Sequence, residues 1–177
     1  RSRARMADAT LLVAGSVAVL VLLGISAFFS SSEISMFSIS REWIREQADA
    51  GDERAAGLDA LRSNPHRLLV TILVGNNIVN VAISSIITVL VAQSFSGGLA
   101  VAIATVVASA LVLVCGEIVP KSYGLGNAET WSLRMVGPLR LVETVLSPLV
   151  TLFDGLTRRI GALLDGDQHI EEPYTDD

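Results

Sequence analysis

Long uncharged apolar runs alternate with short charged segments along the chain. The run from Ala9 to Ser32 contains no Asp, Glu, Lys or Arg, and a second such run extends from Leu68 to Gly116. An apolar helix of about 20 residues crosses a bilayer, so the first run predicts a transmembrane helix at about 9–32. As one helix, the second run would be roughly 74 Å long, more than twice the hydrocarbon thickness of about 30 Å. It must therefore fold back.

The fold-back is predicted at Ser94 to Gly98, where serines and glycines give the one strong turn signal of the run. A second helix should therefore end near residue 93, and a third should cover 98–119. Within the second segment, Gly75 precedes a group of asparagines and is a candidate helix break. We therefore expect residues 67–93 to form a short re-entrant half-helix followed by the second transmembrane helix.

Two charged segments flank these runs. Residues 38–66 carry arginines among acidic residues in a pattern that predicts a hairpin of short surface helices. Residues 128–164 place apolar positions at helical spacing between charged ones, which favours a juxtamembrane belt helix interrupted at Pro138 and Pro148. A fourth span over 141–156 is the alternative. Residues 166–177 read as an acidic linker to a further cytoplasmic domain.

The predicted fold is an all-α membrane protein with a transmembrane domain over 6–165. Short loops rich in arginine stay on the cytoplasmic side, so the 38–66 hairpin should be cytoplasmic. The loop after residue 93 has no positive charge and should lie outside. These two loops predict a multi-pass protein of the cell membrane with an extracellular N-terminus and a cytoplasmic C-terminus.

Composition agrees with this class. Apolar residues make up 51% of the 177 residues, and the formal net charge is −5. No basic patch with interleaved aromatic residues exists in the sequence, so nucleic acid is not an expected partner. The sequence also contains no His-Glu-x-x-His pattern, no serine with a histidine in the same segment and no paired aspartates. We therefore expect a protein embedded in lipid that is not an enzyme.

The most informative polar residue is Glu117, which directly follows the second uncharged run. An ionisable residue in a membrane segment usually faces the protein interior or a water-filled cavity and marks a functional site. Pro120 has no N–H and should free backbone carbonyls near Gly116. A carboxylate beside free carbonyls predicts a cation site. The alternative is that Glu117 pairs with Lys121, one helical turn later, and only marks the membrane boundary.

Two further polar pairs lie in the apolar runs. Ser26 and Ser30 share a face of the first helix, and Asn76 and Asn80 share a face of the second, since residues four apart align along a helix. Hydroxyl and amide oxygens are ligands for hard cations. The alternatives are serines that bond back to their own helix or hold helices together, and an interhelical amide clamp. Glu33 should be neutralised by Arg41 or Arg45.

If these pairs meet Gly116 and Glu117, the site offers about six oxygens and one negative charge, without sulfur or imidazole. Such a set selects hard cations. Mg²⁺ takes six oxygens in near-octahedral geometry, whereas Ca²⁺ usually takes a larger cage. Na⁺ would accept the same ligands, so the charge count does not separate Mg²⁺ from Na⁺. The predicted ligands are Ser26, Ser30, Asn76, Asn80, the Gly116 carbonyl and Glu117.

Three motifs in this order resemble the transmembrane domain of the CNNM/CorC family of magnesium transporters. They are Ser-Ala-Phe-Phe-Ser-Ser-Ser-Glu at 26–33, Asn-Pro through Val-Gly-Asn-Asn-Ile-Val-Asn at 64–80, and Gly-Glu-Ile-Val-Pro-Lys at 116–121. The resemblance implies a homodimer in lipid, with three transmembrane helices and a belt helix per subunit. It also implies a cytoplasmic CBS-domain pair after this region.

The same resemblance implies a dehydrated Mg²⁺ pocket made by the first-helix serines, the asparagines and the Gly-Glu pair. Which of Asn76, Asn77 and Asn80 is a ligand stays open. The expected function is Mg²⁺ transport in the direction of efflux, with Na⁺ as a candidate coupling ion. The alternative is a membrane scaffold that senses Mg²⁺ and does not transport it.

Overall fold

The computed structural model describes residues 2–164, which form helices joined by short loops, with no strand in that range. The predicted acidic linker at 166–177 lies outside these described residues. Seven α-helices and one π-helical segment follow in chain order: α1 Ser2–Ser38, α2 Arg41–Asp49, α3 Glu53–Arg62, α4 Pro65–Ala92, α5 Gly97–Leu111, the π segment Val112–Ile118, α6 Val119–Gly126 and α7 Ala128–Leu164.

Four stretches within 2–164 are long and apolar enough to cross a bilayer: Ala9–Ser38, Pro65–Ala92, Gly97–Gly126 and Ala128–Phe153. Their outward faces carry large apolar side chains. Leu20 on α1 is 67% exposed, Val81 on α4 is 66% exposed and Val106 on α5 is 69% exposed. A bilayer, which has no water in its core, is the solvent that suits such faces.

The helix α1 packs antiparallel to α4 and parallel to the π segment and α6. Gly75 of α4 faces the ring of Phe29, whose Cε1 and Cε2 atoms would lie 2.8 and 3.0 Å from a Cβ at this position. α4 runs unbroken from Pro65 to Ala92, so the predicted half-helix at 67–75 is wrong. One glycine costs a helix only about 1 kcal/mol, and here its missing side chain makes room for an aromatic ring.

The third span does not end at residue 119 as predicted. α5, the π segment and α6 form one helical run to Gly126, and Pro120 sits in the first turn of α6. The Val119 N–H donates to the carbonyl of Val114, five residues back, which is the π pattern. Pro120 itself has no N–H, so the helical run continues past it with one backbone donor missing. The disturbed backbone that was predicted near Gly116 is therefore a π-helical segment within a continuous helical run.

α1 and α6 touch through backbone. A Cβ at Gly124 would lie 2.5 Å from the carbonyl oxygen of Ser31 and 2.8 Å from Cγ2 of Ile34. Trp131 on α7 also contacts Ser31, because its Nε1 donates to Ser31 Oγ at 3.0 Å. We call this contact of Gly124 with Ser31 and Ile34 the Gly124 seam. It aligns the π segment with the middle of α1.

The predicted hairpin consists of the two short helices α2 and α3. Ser40 Oγ accepts the Trp43 N–H at 3.2 Å, and Asp52 Oδ1 accepts the Arg54 N–H at 2.8 Å, so both N-termini are capped. Arg62 Nη1 donates to the Ile39 carbonyl at 2.6 Å just after α1 ends. Burial lowers the pKa of Arg62; nearby Arg41 lowers it further, and Asp59 opposes both effects.

α7 is one helix over Ala128–Leu164 and continues through Pro138 and Pro148, which were expected to interrupt it. Trp131 and Met135 share a cavity of about 510 Å³ with α1 residues 24–31. Ten residues later, Leu141 to Leu146 share another cavity, of about 320 Å³, with Ile25 and Phe29 of α1. Since α7 advances about 15 Å over those ten residues while its partners on α1 stay at one level, α7 crosses α1 steeply.

Charged contacts fix α7 to the hairpin end of the bundle. Arg67, at the start of α4, donates from Nε to Glu143 Oε1 and from Nη2 to Ser147 Oγ, both at 2.9 Å. Arg140 Nη2 reaches the Gly57 carbonyl of α3 at 3.4 Å. The middle of α7 therefore lies beside residues that flank the apolar spans.

We expect Gly124→Ala to lower the stability of the folded protein by roughly 1–3 kcal/mol, because overpacking against backbone forces the seam apart. Thermal unfolding of the purified protein in detergent measures this change. Gly126→Ala is the matched control, since nothing lies within 4 Å of its added Cβ. Equal melting temperatures for the two variants would show that the seam tolerates a methyl group.

Candidate ion-binding site

Side chains from α1 and α4 meet the π segment at Ser26. The hydroxyl group of Ser26 is fully buried. Its Oγ lies 3.0 Å from Asn76 Oδ1 and 2.9 Å from Asn80 Oδ1. The predicted shared face of Asn76 and Asn80 is thus the face that meets α1, while Asn77 is exposed. Three oxygen atoms from two helices converge near the middle of the apolar bundle.

This group of oxygens holds fewer hydrogens than it needs. A serine hydroxyl carries one hydrogen and an amide oxygen carries none. Ser26 can therefore donate to Asn76 or to Asn80, but not to both at once. The remaining contact joins two oxygen lone pairs, and either an adjacent cation or a half-turn of one amide, whose N–H would then donate to Ser26 Oγ, would relieve it. Both contacts join α1 to α4, so the alternative prediction, that these serines and amides hold helices together, fits the same geometry.

Gly116 places the backbone of the π segment beside the hydroxyl group of Ser26. A Cβ at Gly116 would lie 2.7 Å from Ser26 Oγ, so only glycine allows this approach of the backbone to the hydroxyl. Pro120 has no N–H and cannot donate to the Gly116 carbonyl four residues earlier, as an ordinary residue would in an α-helix. The π winding over Val112–Ile118 lies where sequence reasoning expected a disturbed backbone, and π-bulges are frequent at functional sites.

Glu117 follows Gly116 and is half-buried. Its carboxylate forms no ion pair or side-chain hydrogen bond within residues 2–164, and none joins it to Ser26 or the amides. The predicted alternative, a pair between Glu117 and Lys121, is wrong because Lys121 Nζ binds Glu33 Oε2 at 3.2 Å. The same contact corrects the expectation that Arg41 or Arg45 neutralises Glu33.

Ser30 lies one turn below Ser26 and is 1% exposed. Its Oγ has no hydrogen-bond partner among the described residues. A buried hydroxyl without a partner is costly, which makes Ser30 a candidate to bind a ligand or a water molecule. Ser32 Oγ is buried and unpaired in the same way, and it lacks the four-residue spacing from Ser26 by which Ser30 was identified.

The arrangement suits a hard cation better than a soft one. No group of three or more His, Cys, Asp or Glu that could hold a metal ion exists in the part of the chain that the structure describes. The available donors are hydroxyl, amide and backbone oxygens with one nearby carboxylate, which suit Mg²⁺, Na⁺ or Ca²⁺. Ser26 contacts the side chains of Asn76 and Asn80 and the backbone of Gly116. Ser30 lies one helical turn after Ser26, and Glu117 directly follows Gly116 in sequence.

Comparison with known proteins agrees with these features. The model of the Cyclin M (CNNM) transmembrane N-terminal domain family matches residues 17–177. The UPF0053 inner membrane protein YfjD of Escherichia coli is 35% identical over 136 residues, which cover 77% of this chain and 32% of that protein. A chloroplastic DUF21 domain-containing protein of Arabidopsis thaliana is 34% identical over 154 residues, covering 87% of this chain and 23% of that protein.

A more distant relative, the polyamine export protein of Haemophilus influenzae, is 27% identical over 150 residues, covering 78% of this chain and 35% of that protein. The chain spans about a quarter to a third of the length of these relatives. The helices, the glycine at the oxygen cluster and the extent of the family match lead to one conclusion. The chain is a multi-pass membrane protein and belongs to the Cyclin M (CNNM) transmembrane domain family.

Proposed function

We propose that this protein transports Mg²⁺ across the membrane, in the direction of export. The observation that carries the proposal is the single Ser26 hydroxyl placed between two asparagine side chains and against the backbone of Gly116, which Glu117 follows in sequence. A cation bound there would meet oxygen donors from α1, α4 and the π segment at once. Glu117 would supply the negative charge, and Ser30 the hydroxyl that otherwise lacks a partner.

Mg²⁺ fits this set for reasons of number and charge. It requires about six oxygens at roughly 2.0–2.1 Å, and the six proposed ligands supply that number. Ca²⁺ sites are usually larger and richer in carboxylates. One carboxylate for a divalent ion leaves the binding weak enough for release, as transport requires. Stripping water from Mg²⁺ is slow and costly, so we propose coupling to a gradient of a second ion, with Na⁺ as the candidate.

The π segment would allow the site to open. A π winding holds one residue more than an α-helix needs, so a small change of winding shifts Gly116 along its axis relative to Ser26. Pro120 keeps the following turn from adopting regular α-helical bonding. We propose that this shift exposes the oxygen cluster alternately to the two sides of the membrane, in a homodimer embedded in lipid.

Export of a polyamine is a second candidate, favoured by the name of the 26–27% identical export proteins. A polyamine carries several ammonium groups spaced along an apolar chain. Its recognition would need several carboxylates at matching distances. Glu117 is the one carboxylate next to the cluster, and the nearby Glu33 is bound to Lys121. This charge count favours Mg²⁺ as the cargo.

We also propose that α7 is a belt on the cytoplasmic side and not a fourth span. Its steep crossing of α1 and its contacts with Gly57 and Arg67 support this assignment. The hairpin, the start of α4 and α7 would then share one side, with the N-terminus outside. A CBS-domain pair further along the protein would act on the bundle through α7.

Glu117→Gln should abolish the rise in melting temperature that Mg²⁺ gives the purified protein. An ion at a hundred times its Kd stabilises the folded state by about 2.7 kcal/mol, and a site without its carboxylate loses that term. Ser26→Ala should weaken the effect strongly. Ser85→Ala is the control, because its hydroxyl bonds only to its own helix. A Mg²⁺ response in Glu117→Gln equal to that of the wild type would remove Glu117 from the site.

Proteoliposomes distinguish the candidate functions. We expect Mg²⁺ flux, reported by an enclosed Mg²⁺-sensitive dye, that is lost in Glu117→Gln and insensitive to spermidine. Spermidine flux without Mg²⁺ flux would support polyamine export. Mg²⁺-dependent stabilisation without flux would favour the sensing scaffold.

Labelling of single cysteines with a membrane-impermeant maleimide tests the position of α7. The exposed Cys115 is first replaced by serine, and cysteines are then introduced at Glu53, Ser96 and Arg159. A belt places Glu53 and Arg159 on one side of the membrane and Ser96 on the other. If the cysteine at position 159 is labelled from the same side as the cysteine at position 96, α7 is a fourth span.

A further inference from the structure

One ammonium group binds a carboxylate of another helix and follows a second carboxylate by four residues on its own helical run. Lys121 is the only lysine of the chain and binds Glu33 at 3.2 Å, which joins α6 to α1. Glu117 precedes Lys121 by one helical turn and has no ion pair within the described residues. Both partners of the existing pair are partly exposed, with 43% of the Lys121 side chain and 39% of the Glu33 side chain accessible. The ammonium group is therefore not locked in place.

Sequence spacing gives Lys121 a second partner. A glutamate four residues before a lysine is the favourable order for a pair on one helix. The four-carbon stem of lysine is flexible and its ammonium group accepts many geometries. Movement of Lys121 from Glu33 to Glu117 thus requires rotation of side chains and no change of fold. It would exchange a contact between two helices for a contact within one helix.

Charge balance gives the reason for such a movement. An unpaired carboxylate in a membrane segment is unfavourable. Once the transported cation has left, the negative charge of Glu117 therefore lacks a compensating positive charge. A built-in ammonium group can replace that charge. While a cation occupies the site, the ammonium group is repelled from Glu117 and is held by Glu33.

We propose that Lys121 is a built-in competitor of the transported cation, and that Glu33 is the positioning residue that keeps it away from Glu117. This inference rests on the proposed function. Lys121 binds Glu33 in the loaded state and Glu117 in the empty state. Release of Glu33 also removes an α1–α6 contact close to the Gly124 seam, which links emptying of the site to loosening of the helices.

The test is a double-mutant cycle on Mg²⁺ affinity, measured by Mg²⁺ titration of thermal unfolding with the purified chain. Glu33→Gln should weaken the affinity about two- to fivefold, the range expected for a partly exposed pair. Lys121→Met should tighten it by a similar factor and slow Mg²⁺ flux in proteoliposomes. The double variant should match Lys121→Met, because Glu33 acts only through Lys121.

A pair that only holds α1 against α6 would behave differently. Both single variants would then change Mg²⁺ affinity in the same direction, or leave it unchanged, and either result overturns the inference. Glu129→Gln and Arg134→Met are the controls for removal of one charge, since both side chains are exposed on α7 and have no ion pair in the described structure. Shifts in these controls as large as those of the tested variants would also overturn it.

Failure of the proposed function gives a different result. A wild-type protein that shows no Mg²⁺ response removes the Mg²⁺ site itself, and the competitor with it. A wild-type response combined with equal shifts in Glu33→Gln and Lys121→Met leaves the site in place and removes only the role of Lys121.

Discussion

A bilayer offers no water to polar groups, and this constraint explains most of the architecture. Every hydroxyl, amide and carboxylate inside the apolar spans must find a protein partner or a ligand. Most serines and threonines of the spans solve the problem locally by bonding to carbonyls of their own helix, as Ser84, Ser85, Thr88 and Thr105 do. Ser26 instead contacts side chains of another helix, and that difference makes its surroundings the candidate site.

Glycine is what lets this polar group form between helices. Gly75 admits the ring of Phe29, Gly116 admits the hydroxyl of Ser26, and Gly124 admits the backbone of α1. Each of these glycines removes a side chain where two helices come closer than ordinary packing allows. Small residues serve this purpose in membrane helices because lipid gives apolar surfaces little reason to associate. Close backbone contact then supplies the packing energy.

The charged contacts lie outside this buried region, at one end of the bundle. Arg67 with Glu143, Arg140 with Gly57 and Lys121 with Glu33 all lie toward the hairpin end of the bundle. They connect α7 to α4 and to α3, and they connect α6 to α1. A movement of α7 would therefore reach Asn76 and Asn80 through α4.

The sequence alone indicated the apolar character of the spans, the fold-back near Gly97, the hairpin, the extent of α7 and the family, because hydrophobic length and residue spacing are local properties. It ended the third span at residue 119, whereas the helical run continues to Gly126. It also indicated that Ser26, Asn76, Asn80 and Gly116 belong together. It also predicted a helix break at Gly75 that does not exist, because a glycine that breaks a helix and a glycine that receives an aromatic ring look identical in one dimension. Only the tertiary structure decided that Lys121 binds Glu33 and leaves Glu117 unpaired, since the choice between two carboxylates depends on the distance between helices, which no spacing along a single chain can specify.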